Sequence, residues 1–178
     1  DTIPPVLVGL PTNQTYQCLA QVPPPPVVTA TDNCGANPVQ FSGSTNGSCP
    51  TIITWTWTVT DACTNSASAT RTVTVQDTIP PVLSGVPANT NYQCLADVPA
   101  PASVTANDNC DGAITPTLVA VTNGSCPTTI TRTWTAKDTC TNSASATQTI
   151  TVRDTIPPVL VGLPTNQTYQ CLAQVPPP

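Results

Sequence analysis

Thr51–Val75 reads TIITWTWTVTDACTNSASATRTVTV, and its alternation decides the fold. In the first ten residues Ile53, Trp55, Trp57 and Val59 alternate with Thr54, Thr56, Thr58 and Thr60, the two-residue period of a strand with one buried face. Beyond the DACTNS turn, Ala67, Ala69, Val73 and Val75 alternate with Ser68, Thr70, Thr72 and Thr74. Together the two runs predict an antiparallel hairpin. The same text returns as Thr128–Val152, with Ile130, Arg132, Trp134 and Ala136 in the inward register. Trp57 and Trp134 are therefore expected to anchor two cores, and the Trp55/Arg132 exchange to mark a boundary position. Short strands near Val6–Leu10, Thr15–Ala20, Val27–Thr31 and Val39–Ser42 complete a two-sheet sandwich of six or seven strands, with turns at Gly, Asn and Pro.

Working outward, the whole chain repeats. DTIPPVL begins at Asp1, Asp77 and Asp154. Residues 1–76 and 77–153 align with one inserted residue and are identical at most positions, and residues 154–178 repeat residues 1–25 without a change. Two full modules, 1–76 and 77–153, and the start of a third, truncated one at 154–178 are expected, as a stretch of a longer tandem array. Near-copies in series suit length, multivalency or assembly better than one specialised pocket. The predicted class is all-β: tandem immunoglobulin-like β-sandwich modules, each stapled by two disulfides.

Composition agrees. Charged residues are only 7%, His and Met are absent, and there are 22 Pro, while Thr and Val favour strands over helices. A net charge of -5 without basic clusters gives nucleic acid no electrostatic footprint. No apolar run approaches the roughly 20 residues of a membrane-spanning helix. Without His, triads of the Ser-His-Asp type, Cys-His pairs and H-E-x-x-H zinc sites are excluded. Asp-Thr-Ile has the Asp-Thr start of an aspartic-protease site but lacks the Gly that follows there, so no catalytic residue is expected and the chain is read as a non-enzyme.

The nine cysteines set the compartment. Each full module holds four, Cys18, Cys34, Cys49 and Cys63, then Cys94, Cys110, Cys126 and Cys140, and Cys171 is the counterpart of Cys18. Spacings of 14–16 residues without CxxC or His fit zinc poorly and disulfides well. Disulfides imply an oxidising, extracellular or cell-surface location. If the strands run as in an immunoglobulin-type sandwich, Cys18 and Cys49 lie at one end of a module and Cys34 and Cys63 at the other. A nine-residue strand spans roughly 30 Å, too far for cysteines at opposite ends to meet. The strand map therefore predicts Cys18–Cys49 with Cys34–Cys63, and Cys94–Cys126 with Cys110–Cys140. This is one of the three ways in which four cysteines can pair. Each such bridge, closing about 30 residues, would contribute on the order of 3–4 kcal/mol.

YQCLADVPAP, VTANDNCDG, NGSCPTTITRTWTAKDTCTNSASATQTITV and the DTIPPVL joint resemble the HYR-like, immunoglobulin-like repeats of bacterial surface and secreted proteins, especially those of Bacteroidota. The resemblance covers both modules and the third start. It departs at Asn65 and Asn142, where Gly often follows the last cysteine. It implies an extracellular β-sandwich in adhesins, stalks or surface filaments, without catalytic residues. It also implies O-glycosylation of the Asp-Thr-aliphatic type at Thr2, Thr78 and Thr155, against the plainer reading of Thr as a strand-edge residue before Pro. Asn13, Asn46, Asn123 and Asn166 lie in N-x-S/T sequons, which bacterial proteins usually leave unused.

The aspartates carry two readings. Asp77, Asp108, Asp111 and Asp138, matched by Asp1, Asp32 and Asp61, sit at a joint and its loops, where carboxylates suit Ca²⁺ as a structural ion. They equally suit turns, capping local N–H groups. Ile-Pro-Pro at each joint predicts a semi-rigid link, and the Pro runs after Val22 and Val98 predict polyproline II that shields a sheet edge. The expected function is the structural repeat of an extracellular filament or stalk, whose partners are neighbouring repeats and other copies of itself. The alternative is an adhesin recognising surface glycan or protein through its loops, with Tyr16, Tyr92 and Trp55 as exposed contacts.

Overall fold

The structure, a computed structural model, describes residues 1–162, 167–168, 170–171 and 174–175. Asn166 and much of the third unit lie outside the described residues. In the first module β1 (Val6–Val8) pairs antiparallel with β3 (Thr29–Thr31). Facing them is a four-stranded sheet in the order β2 (Gln14–Tyr16), β6 (Ser66–Val75), β5 (Thr51–Thr60), β4 (Gln40–Asn46), in which β2 runs parallel to β6. The second module repeats this with β7 (Val82–Ser84), β9 (Thr105–Asp108) and β10 (Gly112–Ile114) in one sheet. Its other sheet runs β11 (Thr117–Asn123), β12 (Thr128–Lys137), β13 (Ser143–Val152), β8 (Thr90–Tyr92). The chain is all-β, in two sandwich-like units.

The predicted hairpins are the longest strands in each module. Their register pairs Trp57 with Ala69 and Trp134 with Ala146, so a large ring sits across from a small residue on the inward face. Trp57 and Trp134 are almost wholly buried. In the first module Val28, Trp55, Trp57, Val73 and Val75 form the core, with Leu7, Leu10 and Tyr16 packed on it. The first three upstream strands are shorter than expected, while the one expected at Val39–Ser42 runs on to Asn46. The second ends at Tyr16, and Cys18 leads instead into a 3₁₀ turn at Leu19–Gln21, where Gln21 folds back and its Oε1 accepts from the N–H groups of Gln17 and Cys18.

The boundary reading of Trp55 and Arg132 does not hold, because both are buried, at 7% and 6% exposure. Trp55 stacks edge-on to Trp57 with ring centroids 6.2 Å apart and lies across from Arg71, whose Nε donates to Pro11 O at 2.8 Å. In the second module the arginine has moved to the facing strand. Arg132 Nη2 donates to Pro99 O, Nη1 reaches Gln148 Oε1, and Gln148 Nε2 donates to Ala88 O, one residue beyond the counterpart of Pro11. A buried guanidinium is tolerated only with such partners. One inward pair is therefore met either by an aromatic with an arginine or by an arginine with an amide.

Candidate functional site: the joint between the modules

Each long hairpin closes on a D-x-C-T-N turn whose Thr takes a left-handed conformation, φ 74° at both Thr64 and Thr141. That region strains a β-branched residue and persists only where neighbours enforce it. Here the enforcing group is an aspartate. Asp61 Oδ1 accepts from Cys63 N and Asn65 N at 2.8 Å each, and Oδ2 accepts from Asn65 Nδ2 at 2.7 Å. Asp138 and Asn142 repeat the arrangement. The turn holds Cys63 and Cys140 at one end of their modules. At the opposite end the N-G-S-C-P turn presents Cys49 and Cys126. Gly47 and Gly124 are required there: their φ values are +78° and +77°, and a Cβ would meet the following proline carbonyl oxygen at 2.5 Å.

Between β6 and β7 only Gln76–Pro81 intervene, so the end of the first module abuts the start of the second. Gln17 Oε1 accepts from Thr78 N at 2.9 Å, Asn142 Nδ2 donates to Asp77 O at 3.0 Å, and Pro81 is fully buried. This contact decides the disulfides. Cys18 bonds Cys110 and Cys49 bonds Cys140, with Cα separations of 5.1 and 5.3 Å. The expected pairs within modules, Cys18–Cys49 with Cys34–Cys63 and Cys94–Cys126 with Cys110–Cys140, are not formed. Cys18 and Cys49 do share one end, and Cys110 and Cys140 the other. Each finds its partner across the joint, because abutting ends bring together cysteines from two modules. Cys34, Cys63, Cys94 and Cys126 carry exposed free thiols. An open cleft of about 560 Å³ beside the bridges is lined by Cys18, Asp77, Cys110, Asp111, Thr139 and Cys140.

Of the four aspartates expected at this joint, the structure brings two together. Asp77 and Asp108, both buried, place carboxylate oxygens within 4.8 Å of each other and of Cys110 Sγ, and Asp108 Oδ2 has no hydrogen-bond partner. Asp111 instead accepts from Thr139 N and Oγ1, at 2.7 and 3.0 Å, and Asp138 is engaged by Asn142. At the outer end Asp1, Asp32 and Asp61 cluster likewise. There Asn33, in the amide orientation that satisfies both neighbours, donates to Asp1 and Asp32. Its counterpart Asn109 turns to the sulfurs of Cys110 and Cys18, at 2.9 and 3.3 Å, leaving the Asp77/Asp108 pair without that donor. Two facing carboxylates suit a hard cation.

Asp61 is held below its ordinary 3.8 chiefly by the Asn65 side-chain amide, helped by backbone N–H groups and opposed by burial. Burial pushes Asp108 up, but the N–H groups of Asp111, Cys110 and Asn109, with Asp77, outweigh it and the net shift is downward. A carboxyl with a lowered folded pKa adds stability above its unfolded pKa and loses it as pH falls through the folded value. The melting temperature is thus expected to hold from neutral pH to about 4 and to drop as pH falls below 3.8. Asp61→Asn with Asp108→Asn should flatten that acid limb in a series of thermal melts. An unchanged limb would assign it to other groups.

The residues offered for modification sit in exposed backbone. Thr2, Thr78 and Thr155 are exposed, though Thr78 Oγ1 lies 3.3 Å from Gln17 Oε1 and Thr155 Oγ1 3.2 Å from Gln93 Oε1. Asn13 of the first sequon has a structural role: its Oδ1 accepts from Thr72 N at 3.0 Å, as Asn89 Oδ1 does from Thr149 N at 2.8 Å. Its loss as a sequon in the second module, where Asn89 keeps the contact, points to that role.

A family model described as HYR-like domain with 4 cysteines matches residues 7–75 and again 83–152. No curated protein matches the chain.

Proposed function

The chain belongs to the HYR-like domain family with 4 cysteines over both of its modules, and we propose that it serves as the structural repeat of an extracellular filament or surface stalk. The observation that carries this is the joint. Two disulfides cross it beside a six-residue link holding two prolines, so successive sandwiches are fastened at two points and cannot hinge about one. Disulfides and family suit an extracellular domain, and among the described residues no helix is long and apolar enough to cross a membrane. Bacterial origin of the Bacteroidota type, display at the cell surface and O-glycans at Thr2, Thr78 and Thr155 belong to the same proposal, and no catalytic role is part of it. The adhesin reading loses support from burial: Trp55 is in the core and Tyr16 packs against it.

Electron microscopy of native material tests the reading. Rods or filaments with a regular axial repeat support it. Compact particles or beads on a flexible thread would overturn it.

Calcium is proposed at the joint, on Asp77 and Asp108 with water completing the shell, and the support is the partnerless buried oxygen of Asp108. Calcium is expected to raise the melting temperature relative to chelator, and Asp108→Asn to abolish the difference. Equal melts with and without calcium would overturn the site.

A further inference from the structure

Two bridges cross the joint, and only one of them has a pair of carboxylates beside it. Cys18 bonds Cys110, and Cys110 Sγ lies within 4.8 Å of oxygens from both Asp77 and Asp108. Among the described residues no such cluster includes Cys49 or Cys140, and Asp138 near Cys140 is engaged by Asn142. Cys18, Asp77 and Asp108 are buried, Asp108 at 4% exposure.

Each of these groups is held from behind. Asp108 Oδ1 accepts from Cys110 N at 2.8 Å and from Asp111 N at 3.0 Å, and Asp77 Oδ1 accepts from Ile79 N at 2.9 Å. Asp108 Oδ2 is left buried without a partner, a cost that a metal ion would remove. Asn109 Nδ2 donates to Cys110 Sγ at 2.9 Å and to Cys18 Sγ at 3.3 Å, so one amide steadies both sulfurs. Outer-shell partners of this kind orient metal ligands. The open cleft reaches Cys18, Asp77 and Cys110 and gives an ion a way in. Cysteine spacing within one module suits no zinc site, but these four groups come from two modules and the link between them.

We propose that the joint, with its Cys18–Cys110 bridge not yet made, is a zinc site formed by the thiolates of Cys18 and Cys110 and the carboxylates of Asp77 and Asp108. Two sulfur and two oxygen ligands make a four-coordinate set of the kind Zn²⁺ takes. The oxidised joint offers carboxylates alone and so suits the hard Ca²⁺. A chain is synthesised with thiols, so the zinc state precedes the bridge. Zn²⁺ displaces the two thiol protons and ties Cys18 of the first module to the link and to the second module. The two ends are thereby held together before a covalent bond joins them. A small-molecule disulfide then accepts two electrons from the two thiolates and leaves as two thiolates, the Cys18–Cys110 bond forms, and Zn²⁺ departs. The proposal shares Asp77 and Asp108 with the calcium site and concerns the other redox state of the same joint.

The test uses the full chain with every cysteine except Cys18 and Cys110 replaced by Ser, kept in a phosphine reductant and titrated with Co²⁺ and then Zn²⁺. The d–d bands of Co²⁺ report its geometry, and thiolate charge transfer reports sulfur ligation. The expected result is one equivalent of tetrahedral Co²⁺ with charge transfer, displaced by Zn²⁺, and a melting temperature that Zn²⁺ raises relative to chelator. Cys18→Ser should abolish the tetrahedral spectrum. Asp108→Asn, with Asp77→Asn as the second variant, should weaken binding by at least the roughly 10–100-fold that loss of an outer-shell partner brings. Far-UV circular dichroism checks that each variant keeps the strand content of its parent. Octahedral bands without charge transfer, a tetrahedral spectrum that survives Cys18→Ser, or no binding would each overturn the proposal. The oxidised chain separates this from the calcium reading: it should show no charge transfer, and its calcium-dependent melt stands or falls independently.

Discussion

Replacing Cys18 and Cys49 by Ser is expected to lower the melting temperature by about 10–20 °C and to split one cooperative transition into two. The bridges span sequence separations of 92 and 91 residues. In the chain-entropy description the first closure of such a loop is worth about 4–5 kcal/mol, and the second, made inside an already constrained chain, less. At about 2–4 °C per kcal/mol for a protein of this size, the first alone accounts for the lower end of the range. The splitting follows from topology. Both links join different modules, so without them only the short connection and its few hydrogen bonds couple the two sandwiches. Differential scanning calorimetry of wild type and variant under non-reducing conditions checks both effects. A wild-type melt that already shows two transitions, or one that reductant leaves in place, would contradict the stapled joint.

Trp57→Ala is expected to destabilise the first module by about 3–5 kcal/mol, the range for emptying a buried aromatic site. Total stability of a 76-residue module is on the order of 4–11 kcal/mol, so the loss removes a large part of it. Trp57 is 2% exposed and meets both Phe41 and Trp55, with ring centroids 5.6 and 6.2 Å away. No neighbour has the reach to fill the space. Trp134→Ala should produce a similar loss through the second module's core, where Trp134 is 3% exposed. Chemical denaturation followed by fluorescence of Trp55 and Trp134 reads Trp57→Ala, and far-UV circular dichroism reads Trp134→Ala, which leaves the second module without tryptophan. A loss below about 1 kcal/mol at either position would mean that its ring does not anchor a core.

The hairpins were legible because the two-residue period of Ile53, Trp55, Trp57 and Val59 is a local property, written in consecutive residues. The depth of Trp55 and Arg132 was not. A polar residue in an inward register reads as a boundary, and only the fold shows Gln148 on the paired strand and the carbonyl of Pro99, from the proline segment, ready to receive the guanidinium. The aspartates were legible as a joint cluster but not as a ligand set. Which oxygens are taken by Thr139 and Asn142 depends on loop paths that spacing does not encode.

By itself the sequence determined the repeat, the strand pattern, the tryptophan anchors and the end of the module at which each cysteine lies, all consequences of short-range periodicity and strand length. Tertiary structure alone decided which cysteines are partners. A disulfide needs two Cα atoms within about 4.4–6.8 Å, and across the joint that proximity joins residues more than ninety positions apart. It arises when two module ends are pressed together by a short link, a relation between modules that no pattern inside one of them contains.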